Sequence, residues 1–430
     1  MKRAPIILVL GLLMSSGVSA QTVQNVAGLF ELMRHRPDAV ADDIIYQKAS
    51  INEQIIKAKL KPKVDLFGTY DYATSPLGMV PIPPNELLGL VKHPDVGQPF
   101  SHHILRAGAS IAMPLFVKSI HTLAEKAKSM QVSAKAKKRL NLLKNEATIV
   151  SLNANLHYMN EMIKALSKKR KSILKTKEII NIKVQNQRSP AIALVKIDDA
   201  LNQIDLAIAG IQMKKSQASA MIEQLTGVYL EKELPMEQVG TYSEGQLAAL
   251  EPLQEMLKAQ KLGVKAEKEK TKPAVFAKAN YNHSLGIAYN NDKLVNEDFA
   301  TIGLAVKMPL FDKVQSAKLL QAQLEVKQTE NKISQKEVEL GAMANQLQVD
   351  LQIIEHSLKL YEQSIQAKKE LLKTAKVAYD NNRMTIEDYL KYEDDLVLEQ
   401  SKYYKSVAEK WQDLMKLAVI YGNDVESIVK

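Results

Sequence analysis

Two acidic runs, Asp198-Asp199 and Glu393-Asp394-Asp395, hold the residues best suited to move protons or hold a cation. Adjacent residues on a helix point apart, so neither run converges as an acid–base pair. Both read as solvated surface or as the lining of an opening. His102-His103, His121, His157, His283 and His356 show no metal-ligand spacing, and no metal or other cofactor is expected. Cysteine is absent, which removes disulfides, thiolate ligands and a cysteine nucleophile. The sequence has no Gly-rich phosphate loop, Gly-x-Ser-x-Gly elbow or His-Glu-x-x-His, so an enzyme is not expected. Lys164, Lys168, Lys169, Arg170, Lys171, Lys175 and Lys177 form a basic band, either a wet helix face or a surface for an acidic partner.

The elements that would position these residues come in duplicate. Met113-Pro114-Leu115-Phe116 returns as Met308-Pro309-Leu310-Phe311, and each copy is followed by a long run nearly free of Gly and Pro. The runs stop at Gly227 and Gly422, equally far from their starts, with Arg188 and Arg383 at matching places inside. Such self-similarity identifies a repeat. Only 5% of residues are aromatic, and Ala, Leu, Lys, Gln and Glu are prominent, a composition that suits long helices. After each proline the pattern is helical for about 70 residues, on the order of 100 Å at 1.5 Å per residue. The first returning helix carries Leu194, Ile197, Leu201, Ile204, Ile208, Ile211, Ala218, Ile222 and Leu225 at coiled-coil spacing, which reads as packing between antiparallel helices. The second carries Leu390, Val397, Tyr404, Trp411 and Ala418 in a different phase, from a slip around the turn or a different facing partner.

Residues 1–20 read as a secretory signal: Lys2 and Arg3, an apolar Ile6–Met14, then Val18-Ser19-Ala20. No later run approaches the about 20 apolar residues of a membrane helix. The first repeat spans 21–227. It opens with two helices broken near Arg36-Pro37, the second capped by Asp38. Alternating strands follow at about 63–73 and 103–112, joined by a loop from Ser75 to Pro99, and then a helical hairpin over 117–226 with Pro190 opening its second helix. A connector covers 228–245. The second repeat, 246–422, has strands at about 274–284 and 298–307 and a hairpin over 312–421, leaving a tail at 423–430. Lys61-Pro62 and Lys272-Pro273 lie 211 residues apart but the two Met-Pro-Leu-Phe copies 195, so the second inter-strand loop is shorter by sixteen residues.

Each strand has an apolar face (Leu66, Ala109, Ala279 and Ile302 among others) and a polar one (Asp65, Thr69, Ser110, Asn280, Thr301). The strands form either a soluble layer with one wet face or part of a membrane barrel. Four strands cannot close a barrel alone, so in a membrane several chains must pool them, and three chains would give twelve.

The plan of strand, loop, strand, proline, long helix, tip and returning helix resembles the TolC outer-membrane efflux channels. The likeness covers the mature chain and includes the segment from Ala378 to Leu390, with Thr385-Ile386-Glu387-Asp388-Tyr389-Leu390 at its end. It implies a mainly α chain with membrane β: a homotrimer whose twelve-stranded barrel in the outer membrane continues as an α-helical periplasmic tunnel. Such channels pass cargo from an inner-membrane transporter, through a periplasmic adaptor, in tripartite efflux or type I secretion, so outer-membrane lipid is a partner and nucleic acid is not. The resemblance places Asp388, Tyr379, Arg383, Lys391, Arg188, Asp198 and Asp199 at the entrance. Lys391 stands where the family has a second acid and Met384 where it has the latch arginine. Arg188 and Asn382 replace tip glycines, in a conformation Arg adopts less readily than Asn. Arg188, Ser189, Pro190, Asn381, Asn382 and Met384 form tip turns for adaptor docking, and Pro114 and Pro309 mark where strand pairing stops and the tunnel begins. The competing reading is a soluble periplasmic coiled-coil adaptor or scaffold.

Overall fold

The computed structural model describes residues 23–381 and 383–430; the expected signal segment and Asn382 lie outside them. Two short helices come first, α1 (Val26–Arg34) and α2 (Pro37–Ala58). The first cap is Asn25, whose side chain accepts from the Gly28 amide. The N-cap of α2 is Arg36 and Pro37 is the first helical residue, so Asp38 does not cap the helix as expected. It sits one position inside, where its charge meets the positive end of the helix dipole.

The four strands are β1 (Lys63–Gly78), β2 (Phe100–Phe116), β3 (Ala274–Ile287) and β4 (Leu294–Lys307), all antiparallel in sequence order. They are longer than the alternation suggests. The Ser75–Pro99 segment is not wholly a loop, because β1 runs to Gly78 and a helix α3 spans Pro84–Val91. The register aligns the two face types across the sheet. Val64, Ile111, Ala279 and Ile302 share one row, and Asp65, Ser110, Asn280 and Thr301 share the next. One face is therefore apolar through all four strands and the other polar, which is the period of two expressed in a sheet. At the end far from the helices the apolar face carries polar tips: Tyr70 bonds His103 at 2.7 Å, and Tyr281 and His283 both bond Asp298.

Pro114 corrects a second expectation. It lies inside β2, paired with Phe276, with an irregularity between it and Phe116. The β1 side of β2 has already ended at Ala112, so the amide that proline lacks has no strand to meet. Pro309 lies just beyond the end of β4 at Lys307. Gly108 is the most crowded of the strand glycines, since a Cβ there would stand 2.2 Å from the Tyr281 carbonyl oxygen. Gly108→Ala is expected to cost about 1–3 kcal/mol through forced β2–β3 separation, read as a lower yield of folded protein; a normal yield would show that the strands slide apart without penalty.

The helices make two rows that share their long members. Both α4 (Lys118–Gln185) and α7 (Lys313–Asp380) are 68 residues long. Near the sheet the row is α2, α4, α6 (Glu251–Glu269), α7; towards the tips it is α5 (Ile192–Thr226), α4, α8 (Ile386–Tyr421), α7. The phase difference between the returning helices follows from this order. α8 packs along both α4 and α7, whereas α5 packs along α4 and meets α8 near the tips through the ion pair of Lys196 with Glu387 at 2.7 Å. Both returning helices end on a left-handed glycine, Gly227 at φ 82° and Gly422 at φ 73°. The main core lies where the rows meet: Leu29 and Phe30 of α1 pack with Ile149 and Leu156 of α4, Ile222 of α5, Met415 of α8 and the C-terminal Ile428. Among the described residues no helix is long and apolar enough to cross a membrane.

Candidate functional site

The tips of the two hairpins are built alike. Asn186 and Asn381 close α4 and α7 with nearly equal backbone angles, and each side-chain amide donates at 2.8 Å to a carbonyl four residues back. The Arg188 amide reaches the Lys183 carbonyl at 2.7 Å, and the Arg383 amide reaches Ala378 at 2.8 Å. These six-to-one bonds close the helix ends by satisfying orphan carbonyls. The left-handed residue of the first tip is Gln187, at φ 56°, not Arg188. The strain expected at Arg188 is therefore absent; its side chain is simply exposed.

Beyond the turns the copies diverge. In the first, Ser189 is half-buried and Pro190 precedes the N-cap Ala191 of α5 instead of occupying the first helical position, and no side chain caps the helix. In the second, Thr385 caps α8: its hydroxyl accepts from the Asp388 amide at 3.2 Å and donates to the Asp388 carboxylate at 2.7 Å. This reciprocal arrangement holds Asp388 in place on an exposed surface. Arg383, Met384, Asp388 and Lys391 line one open groove of 750 Å³. Arg188, Asp198 and Asp199 are not part of it; Asp198 pairs with Lys177 at 2.5 Å and Asp199 is exposed.

Tyr379 is buried, with its ring stacked on Tyr389 at 5.2 Å. The Lys183 ammonium stands 5.6 Å from the Tyr379 ring centre, which ties α7 to α4 through a cation–π contact. The Tyr389 hydroxyl donates to Glu393 at 2.9 Å, and Ser172 of α4 donates to the same oxygen. Glu393 is 4% exposed, so it is not a solvated surface group, although it borders a groove between α4, α7 and α8. Burial pushes its carboxyl above the usual range, against the hydrogen bonds from Ser172 and Tyr389. Burial likewise pushes the Tyr389 phenol up to about 12. Spacing alone misses Glu393, because it falls four residues after Tyr389 on the face that meets α4. The basic band is largely paired: Lys164 with Glu161, Lys169 with Asp394, Arg170 with Asp205.

No protein-family model matches the sequence, and no curated protein does so significantly. Solved structures do match. The CmeC outer membrane channel of Campylobacter jejuni superposes with a TM-score of 0.76 at 16% identity, over 94% of this chain and 86% of that one. The outer membrane protein VceC of Vibrio cholerae gives 0.76 at 14%, over 93% and 97%. The chain has the fold of the outer-membrane channels. The MtrE channel of Neisseria gonorrhoeae, in its open state, adds a TM-score of 0.72 at 13% identity, over 94% and 90%. Within the outer-membrane channel fold, the four-stranded sheet and paired long hairpins of this chain recur as one unit, and these neighbours are channels, not enzymes.

Proposed function

We propose that this protein is the outer-membrane exit duct of a tripartite efflux pump or type I secretion system. In this reading three chains pool their strands into a twelve-stranded barrel, and their helices form a periplasmic tunnel. One observation carries it: every layer of the chain ends in an uncovered edge. β1 and β4 each have one pairing side open. α2 has no buried residue, with Ile44, Ile45, Ile51 and Ile55 about half exposed, and α7 leaves Val338, Ile353 and Val377 uncovered. Open edges and apolar flanks of this extent are stable only when further copies cover them. The sheet adds a polar face to line water and an apolar face for lipid, with Tyr and His at its outer rim.

Cargo enters at the helical tips, delivered by an inner-membrane transporter through a periplasmic adaptor that docks on the tip turns. Tyr379, packed on Tyr389 and faced by Lys183, holds the second hairpin to the first in the closed entrance, while Asp388 presents its carboxylate to the opening. Asp388→Ala is expected to weaken block of single-channel current by multivalent cations about tenfold, the loss of roughly 1.4 kcal/mol of attraction. Unchanged block would remove Asp388 from the conduction path. The reading as a whole is tested by fractionation and planar-bilayer recording. Detergent-dependent extraction from outer membranes and defined conductance support it; recovery in the soluble periplasmic fraction would favour the adaptor or scaffold reading.

A further inference from the structure

The connector between the two repeats carries a carboxylate to a histidine of the tunnel wall. His157 and Glu161 lie one turn apart on the same face of α4. Glu233 arrives from the connector, with its Oε1 3.3 Å from His157 Nδ1. One potential ligand atom from each of His157, Glu161 and Glu233 lies within 4.8 Å of the other two. Side-chain exposures of 40% for His157, 22% for Glu233 and 20% for Glu161 leave the cluster reachable yet shielded.

The surroundings orient these donors. The Asn160 amide holds the other oxygen of Glu233, and the edge of Tyr404 meets the His157 ring at 5.7 Å. Lys164 pairs with Glu161 at 2.5 Å and would have to swing aside for an ion. Lys164 also borders an adjoining groove of 430 Å³, which gives its flexible stem room to do so.

We propose that His157, Glu161 and Glu233 form a binding site for a divalent transition metal of the Zn2+ class. One imidazole nitrogen and two carboxylates suit a borderline metal, whereas Ca2+ and Mg2+ call for larger all-oxygen sets. Metal–ligand bonds of about 2.0–2.1 Å bring ligand atoms to about 3.3 Å from one another, a closure that rotations of the two glutamates supply. A fourth position remains for water. The consequence is mechanical. The connector already hangs on α4 through two bonds between Asn153 and Leu234, at 2.9 and 2.8 Å. A metal would add a staple one turn further along the helix, holding the middle of the molecule while the tips move.

The sequence conceals this site. Neither His157 nor Glu161 has a third ligand nearby in the chain, and only the path of the connector supplies Glu233.

The test is zinc titration of the detergent-solubilised full chain, purified without a histidine tag, followed by calorimetry and metal analysis. One Zn2+ per chain with micromolar or tighter affinity is expected, with a higher thermal midpoint on binding. His157→Gln should weaken binding at least a hundredfold and Glu233→Gln at least tenfold, while circular dichroism and elution volume stay unchanged. Co2+ should give visible absorption in the wild type that His157→Gln lacks, a signature that a merely structural histidine would not produce. Absence of Zn2+ binding at micromolar concentrations would overturn the proposal. So would equal binding in the wild type and both variants, because the ion would then sit elsewhere.

Discussion

Ile302→Lys is expected to abolish accumulation of assembled protein in the outer membrane, whereas Thr301→Lys, one residue away, should be tolerated. Ile302 is 91% exposed on the apolar face, in the row shared with Val64, Ile111 and Ala279. Thr301 points to the opposite face, beside Asn280 and Ser110. A lysine facing hydrocarbon near the bilayer midplane costs about 2–4 kcal/mol per site, so about 6–12 kcal/mol for three symmetric copies. That penalty is comparable to the whole stability of an ordinary domain. A lysine on the wet face meets water and costs little. The measurement is the amount of heat-resistant oligomer on unheated gels of outer-membrane fractions. Equal amounts for the wild type and Ile302→Lys would mean that this face never enters lipid, and the duct reading would fall with it.

The pair of variants also marks how much of the fold was legible in the sequence. Face assignment was legible, because strand geometry alternates with a period of two and each strand repeats the same alternation. Helix lengths were legible too, since Gly and Pro are nearly missing between Pro114 and Gly227 and between Pro309 and Gly422. Fine placement at prolines was not. Pro114 resembles a terminator, yet it is tolerated within β2 because the neighbouring strand has already ended there. That is a property of register, which one strand's sequence does not contain. Junctions share four letters yet differ in structure, whereas the tips share the Asn and Arg of Asn186 and Arg188, and of Asn381 and Arg383, and repeat the same bonds there.

The candidate site was legible only where local chemistry fixes it. Thr385 and Asp388 stand three apart at a helix start, and N-capping is a local event. Glu393 was not legible, because its partner Ser172 is brought to it by the packing of α4 on α8, between the two repeats. Contacts between repeats leave no period in either one. Glu233 and Glu146 belong to the same class, carboxylates whose environment is set by a segment distant in sequence.

Glu146 yields the second large expectation. It is 2% exposed on α4, accepts from Arg34 of α1 at 3.2 Å, and shares that guanidinium with Glu31 and the C-terminal Glu426. Burial pushes its carboxyl from 4.5 up to about 7; Arg34 opposes the shift, and Glu426 and Asp424 add to it. The sign follows from proton linkage. Between pH 4.5 and about 7 the folded chain binds a proton that the unfolded chain has released. Stability at this site is therefore fully present below pH 4.5 and is lost as pH rises to about 7. The slope has an upper bound of about 1.4 kcal/mol per pH unit per chain. Thermal midpoints of the detergent-solubilised protein should fall across that window, and Glu146→Gln should flatten the fall while leaving neutral-pH stability equal or higher. Arg34→Met should act in the opposite sense, destabilising by about 1–3 kcal/mol at neutral pH. It should stop short of the roughly 3–5 kcal/mol of a stranded buried ion, because Glu146 takes up a proton instead. An unchanged slope in Glu146→Gln would assign the pH dependence to other groups and leave Arg34 as a packing residue that joins both ends of the chain to α4.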